Sequence, residues 1–236
     1  MQKILIWDVE SSLQQSLHFD VWETNIAKEN VLIPSYIHCI SYKFLGDKSV
    51  KTISQRDFPR FKRNIHDDTD VLRAFSKVVE QADILVAHNG DRFDLRKFNG
   101  RLLLAGLPPI PVHKTIDTLK IARNRFMLDW NSLDYIAKAL GHEGKMKNPD
   151  GLWKACFFGD EKALAQMERY NRQDIEALEF IFRKIMPFVK FPLVRKDVRC
   201  PNPVCGSDAI IFKGTRDGKQ RFQCTLCKAW GNIKGQ

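Results

Sequence analysis

The sequence predicts an α/β fold, a mixed β-sheet flanked by helices, with a small β domain attached at the C-terminal end. Three observations predict it. Strand-like runs open the chain as a hairpin, then alternate with helical patterns, and helices follow. The length of 236 residues holds one substantial domain and a modest appendage. Four of the six cysteines cluster near the C-terminal end, where a metal can stand in for a hydrophobic core.

The elements follow in order. Lys3 to Trp7 (KILIW) reads as a short buried strand. Tyr36 to Leu45 and Ser49 to Ile53 flank Gly46-Asp47 as an antiparallel hairpin. Val71 to Val79 has helical spacing, with Asp68 and Thr69 as N-cap candidates. Ile84 to Ala87 is a fourth short strand, and Arg92 to Ala105 an amphipathic helix ended by Gly106 and Pro108-Pro109. Thr115 to Asp117 adds a strand, followed by helical segments near Asp117–Phe126 and Ser132–Leu140. Gly141 to Gly159 reads as a loop or insertion. Glu161 to Ile185 is the longest helix, ended by Pro187, and Phe188 to Lys196 reads as a linker. The domains expected are therefore residues 1–188 and 197–236.

Charge points to the partner. The net charge is +10, and Lys190 to Gln236 alone holds ten basic and three acidic residues, or +7. Nucleic acid is the usual polyanion for such a segment, because phosphate neutralisation releases condensed counterions; a solvated basic tail is the plainer reading. No apolar run reaches bilayer length, and the N-terminus lacks the pattern of a signal peptide, so a cytoplasmic protein without membrane contact is expected.

Three acidic motifs carry the chemistry. Asp8-Val9-Glu10 ends the first strand, and residues two apart on a strand share a face, so the two carboxylates converge. Like charges brought together call for a cation, and a divalent metal suits oxygen ligands. In His88-Asn89-Gly90-Asp91-Arg92-Phe93-Asp94 a buried strand passes into a helix, and either Asp91 or Asp94 can serve the site. Tyr170 and Asp174 share one face of the longest helix, on a stripe with Met167, Ala177, Leu178 and Ile181. A carboxylate on such an inward stripe needs a partner.

Together these motifs resemble the DEDD superfamily of 3′–5′ exonucleases, in its tyrosine subgroup, over roughly residues 1 to 188. Asp8 and Glu10 match the first motif, Asn89, Phe93 and Asp94 the second, and Tyr170 and Asp174 the third. The segments 115–119 and 131–135 also look like those between the family's second and third motifs. The resemblance implies an RNase H-like fold and two Mg²⁺ or Mn²⁺ ions. Asp8 would bridge both, Glu10 and Asp174 would hold one, and Asp94 the other. Asn89 and Phe93 would meet nucleic acid, and Tyr170 would orient the attacking water. With a phenolic pKa of ~10, Tyr170 suits positioning better than base catalysis.

Cys200 and Cys205 form a C-x₄-C pair, Cys224 and Cys227 a C-x₂-C pair, and 18 residues separate the two. Such spacing suits tetrahedral Zn²⁺ and resembles a zinc ribbon over about residues 198 to 233, its hairpin turning at Asp217-Gly218. Four protein ligands leave no open position, so one structural zinc is expected. Lys213, Arg216, Lys219, Arg221 and Lys228 accompany Phe212, Phe222 and Trp230, a mixture that suits phosphate contact and base stacking. Phe222 could equally belong to the ribbon's own small core. Cys39 and Cys156 stand alone in apolar settings and receive no function.

The expected function is a 3′–5′ exonuclease acting on single-stranded DNA, with an RNA exonuclease and a non-catalytic nucleic-acid adaptor as alternatives. Without a polymerase domain in this sequence, proofreading would need a replication or repair protein as partner.

Overall fold

A computed structural model describes residues 2–19, 25–144, 149–189 and 198–234. The chain divides into two compact units, Met1–Phe191 and Pro192–Gln236. The linker expected between Phe188 and Lys196 lies outside the described residues from position 190 onward.

The first unit begins with β1 (Ile4–Ser11) and a two-stranded ribbon of β2 (Gln15–Ser16) and β3 (Val31–Ile33). β4 (Ile37–Phe44), β5 (Lys51–Ser54), α1 (Thr69–Val79), β6 (Ile84–Ala87), α2 (Asp94–Leu104) and β7 (Lys114–Asp117) follow. The helices α3 (Thr118–Arg125), α4 (Leu133–Ala139), α5 (Leu152–Phe157) and α6 (Glu161–Ile185) complete it. The five-stranded sheet runs β5-β4-β1-β6-β7, with β4 antiparallel to β1 and to β5, β6 parallel to β1, and β7 parallel to β6. This is the mixed sheet flanked by helices that the sequence predicts.

β1 sits at the centre and is covered on both faces, which is why its first half is an unbroken apolar run. Leu5, Trp7 and Val9 belong to a core shared with Phe75 of α1 and Phe98 of α2. The Trp7 and Phe75 rings stack at 5.2 Å, and Phe98 meets Trp7 edge-on at 6.1 Å. Each such buried side chain contributes about 1.5–3 kcal/mol. The opposite face carries Asp8 and Glu10 on β1 and Cys39 on β4, and Cys39 clusters with Leu164 and Met167 of α6.

Two local expectations are corrected. Asp68 occupies the N-cap position of α1 without capping it. Its fully buried carboxylate instead accepts from the Ile37 amide at 2.8 Å and forms a bidentate pair with Arg101 at 2.8 Å for each contact. Asp67 caps in its place, taking the Thr69 amide at 2.9 Å. The second correction is α5, inside the stretch read as a loop, of which positions 145–148 lie outside the described residues. Leu152, Cys156 and Phe157 bury one face of it, and so short a helix owes its stability to that packing.

In the second unit β8 (Ile210–Arg216), β9 (Lys219–Cys224) and β10 (Trp230–Lys234) form an antiparallel sheet in the order β10-β9-β8. Asp217 and Gly218 turn the first hairpin with φ of 52° and 71°, the pair of positive angles a tight two-residue turn requires. Among the described residues no helix is long and apolar enough to cross a membrane.

Candidate functional site

β1 and α6 build the centre of the site. Asp8 and Glu10 point from one face of β1 toward α6, where the turn from Tyr170 to Asp174 lies opposite. Asp8, Glu10 and Asp174 each bring a carboxylate oxygen within 4.8 Å of the others, and Glu10 and Asp174 are buried. Ionised carboxylates this close repel by about 4 kcal/mol per pair at an effective dielectric near 20. A hard divalent cation relieves that repulsion, and an all-oxygen donor set fits Mg²⁺ or Mn²⁺.

Asp94 comes to the edge of β1 from α2 but lies outside the group of three carboxylates that share the 4.8 Å spacing. Pairing between β1 and β6 stops at Ile6 and Val86, so the edge of β1 beyond that point is open to another donor or acceptor. The Val9 amide donates to Asp94 Oδ1 there at 3.0 Å, between the two acidic residues of the strand. Burial pushes the Asp94 carboxyl up to about 7, while the Val9 hydrogen bond pulls the other way. Asp91, the alternative at this motif, turns its carboxylate to Lys120 Nζ at 2.5 Å.

The loop between β6 and α2 is held in one shape. Asn89 has φ of 67°, and a Cβ on Gly90 would lie 2.3 Å from the Ala87 Cβ, so only glycine fits there. Asp117 at the end of β7 accepts from the amides of Asn89 at 3.0 Å and Asp91 at 3.4 Å, and it also caps α3. His88 Nδ1 meets Thr118 Oγ1 at 2.9 Å, and its Nε2 donates to the Asn131 carbonyl at 3.0 Å, tying the loop to the segment before α4. Phe93 leaves 45% of its surface exposed at the helix start.

Tyr170 is half-buried, and the Trp153 ring of α5 packs edge-on against it at 6.1 Å. Trp153, Asp117 and Asn171 were not among the residues singled out from the sequence. Asp117 lies in the segment 115–119 noted in the sequence, and Asn171 left its own signal, a polar residue three positions before Asp174 on an apolar helical face.

The sequence profile of the RNase_H superfamily matches residues 19–186. The chain belongs to the RNase H superfamily. That match includes Asp94, Tyr170 and Asp174 and begins beyond Asp8 and Glu10, which the fold brings to Asp174. Among solved structures the chain is similar to the family B DNA polymerase from the hyperthermophilic archaeon Pyrobaculum calidifontis, with a TM-score of 0.58 and 17% identity. The alignment covers 80% of this chain and 25% of that one, so this chain spans about a quarter of the polymerase's length. At this identity the likeness speaks for the fold. No curated protein matches the sequence.

Beyond the RNase H unit, the second unit gathers the four cysteines. Their Sγ atoms all lie within 4.8 Å of one another, Cys200 to Cys227 at 3.2 Å and Cys205 to Cys224 at 3.7 Å. A disulfide needs about 2.05 Å, and all four are thiols. Tetrahedral zinc with Zn–S near 2.3 Å sets neighbouring sulfurs about 3.8 Å apart, so the cluster and its small antiparallel sheet fit a zinc ribbon. The backbone amides of Cys227 and Leu226 draw the Cys224 thiol down to about 7, while burial pushes the neighbouring Cys200 thiol up to about 12.

The ribbon resolves the question left at Phe222. That ring is buried, meets Phe212 edge-on at 6.2 Å, and leaves no room for a Cβ on Gly231, so Phe222 is core. On the other face the Arg221 guanidinium lies 4.5 Å over the Trp230 ring, and Trp230 is 48% exposed. Lys213, Arg216 and Lys219 are exposed along the β8–β9 hairpin.

Proposed function

We propose that this chain is a divalent-metal-dependent nuclease that removes nucleotides from the 3′ end of single-stranded DNA. The observation that carries the reading is the convergence of Asp8, Glu10 and Asp174 within 4.8 Å, with Asp94 tied to the amide between the first two. Asp8, Glu10 and Asp174 would hold one ion, and Asp8 and Asp94 would serve a second. Two such ions supply activation of water and neutralisation of charge at the scissile phosphate. The chain's own groups do the positioning. Tyr170 directs its hydroxyl at the attacking water, and Trp153 holds the Tyr170 ring by its edge. Phe93 offers an exposed ring for the terminal base, and the Asn89 loop, braced by Asp117 and His88, meets the sugar-phosphate backbone.

In the ribbon, structural zinc would hold Cys200, Cys205, Cys224 and Cys227 together. Lys213, Arg216, Lys219 and Arg221 would contact phosphates and Trp230 would stack on a base. A replication or repair protein is the partner we expect for such an exonuclease, on the strength of the polymerase whose fold it shares.

The test is cleavage of 3′- and 5′-labelled single-stranded DNA and RNA in Mg²⁺ or Mn²⁺, beside Asp8→Ala and Asp174→Ala. Stepwise shortening from the 3′ end that both variants abolish is the expected result, and the two sugars compared set the substrate preference. Tight binding with no cleavage in either metal would replace the enzyme with a non-catalytic adaptor.

A further inference from the structure

On α6 the residue after Tyr170 is the most buried polar group at the site. Asn171 has no exposed surface, and its Nδ2 donates to Asp8 Oδ2 at 2.6 Å. Its other end faces Cys39, whose Sγ lies 3.9 Å from Asn171 Oδ1. Cys39 pairs with Glu10 across the β1–β4 ladder and is itself buried. The carboxylate of Asp8 can only accept, so the amide has one sensible orientation, with Nδ2 toward Asp8 and Oδ1 toward the Cys39 Sγ.

The choice of an amide has a physical reason. Lysine or arginine beside Asp8 would cancel its charge and compete with a cation for it. An amide N–H grips one oxygen and fixes the carboxylate plane, yet leaves the negative charge in place. Asn171 and Asp174 are three residues apart, so one turn of α6 supplies both a carboxylate and the group that aims a second one.

We propose that Asn171 is a positioning residue whose amide aligns the Asp8 carboxylate for divalent-cation binding. The inference rests on the metal-dependent reading of the site given above. Hydrogen-bond partners of metal ligands commonly set affinity by about 10–100-fold.

The experiment is titration of the full chain with Mn²⁺, followed by electron paramagnetic resonance without substrate, for wild type, Asn171→Leu, Asn171→Ser and Asp174→Ala. The difference between wild type and Asp174→Ala reports Mn²⁺ held by the Asp8, Glu10 and Asp174 carboxylates. Binding to the carboxylates should weaken at least about tenfold in both Asn171 variants, while a cooperative melt in chelator shows each variant to be folded. Saturating Mn²⁺ should restore much of the lost cleavage, which general damage to the fold would not allow. Wild-type affinity in either folded variant overturns the inference alone. A wild type whose Mn²⁺ binding equals that of Asp174→Ala overturns the metal site itself, and the inference with it.

Discussion

The carboxylate of Asp94 accepts a hydrogen bond from the backbone amide of Val9 at 3.0 Å, joining two acidic motifs that lie 85 residues apart in sequence. The contact exists because β6 stops pairing with β1 before the acidic end of that strand, and α2 starts where the next ladder bond would have formed. Strand and helix start are thereby locked in register at the site.

A first consequence concerns Asp94 itself. Burial raises its carboxyl from the ordinary 3.8 to about 7, so the metal-free fold prefers the protonated form. That contribution is complete below pH 3.8 and is lost as pH rises through 7. Asp94→Asn should therefore melt higher than wild type in chelator at pH 8, and should cleave nothing. Thermal melts beside the labelled-strand assay check both halves; an active variant would remove Asp94 from the site.

His38 sets the acid limit. It is buried with Nδ1 3.3 Å from Gln55 Oε1, and its Nε2 finds no hydrogen-bond partner among the described residues. Burial lowers its pKa from 6.5 to about 4, so the fold favours the neutral ring. The resulting stability is present above pH 6.5 and falls away as pH drops through 4, a loss of about 3 kcal/mol from this group. In urea titrations at pH 7 and pH 4.5, His38→Asn should lose less stability between the two than wild type does. An equal loss would assign the acid sensitivity to other groups.

Zinc removal should act on the ribbon alone. Cys224→Ser takes away one of four sulfur ligands, and so small a sheet lacks the core to fold without its metal. Elemental analysis should show zinc lost, strand affinity should fall, and the melting transition of the RNase H unit should persist. Full zinc content in the variant would refute the ribbon assignment.

The exposed ribbon face offers two distinguishable contributions. Trp230→Ala should weaken single-strand binding by about 1–3 kcal/mol for one lost stacked base, with little change in salt dependence. Lys219→Ala should lower the slope of log K against log salt by about 0.7 for one lost phosphate contact. Fluorescence anisotropy at several salt concentrations separates them, and two unaffected variants would direct the ribbon toward a protein partner.

Much of the architecture was legible in advance because it is written in local pattern. Apolar runs and helical spacing located the five sheet strands; KILIW read as a short buried strand, and the structure carries it on to Ser11 and places it at the centre of the sheet, covered on both faces. The ribbon β2–β3 escaped notice because Gln15–Ser16 and Val31–Ile33 are too short to show a period. α5 escaped because six residues among glycines and a proline read as a turn until packing against α6 fixes them.

The sequence by itself determined which side chains can share a face: Asp8 and Glu10 two apart on a strand, Tyr170 and Asp174 four apart on a helix, and two cysteine pairs at zinc-ligand spacing. Those relationships depend only on the periods of strand and helix, which any short segment already contains. The family resemblance already favoured Asp94 over Asp91; only the tertiary structure decided that Asp94 meets the Val9 amide, that Phe222 is core, and that Asn171, Asp117 and Trp153 pack where they do. Each of these turns on which distant surface a side chain meets, and that is fixed by how the helices seat on the sheet rather than by spacing along the chain.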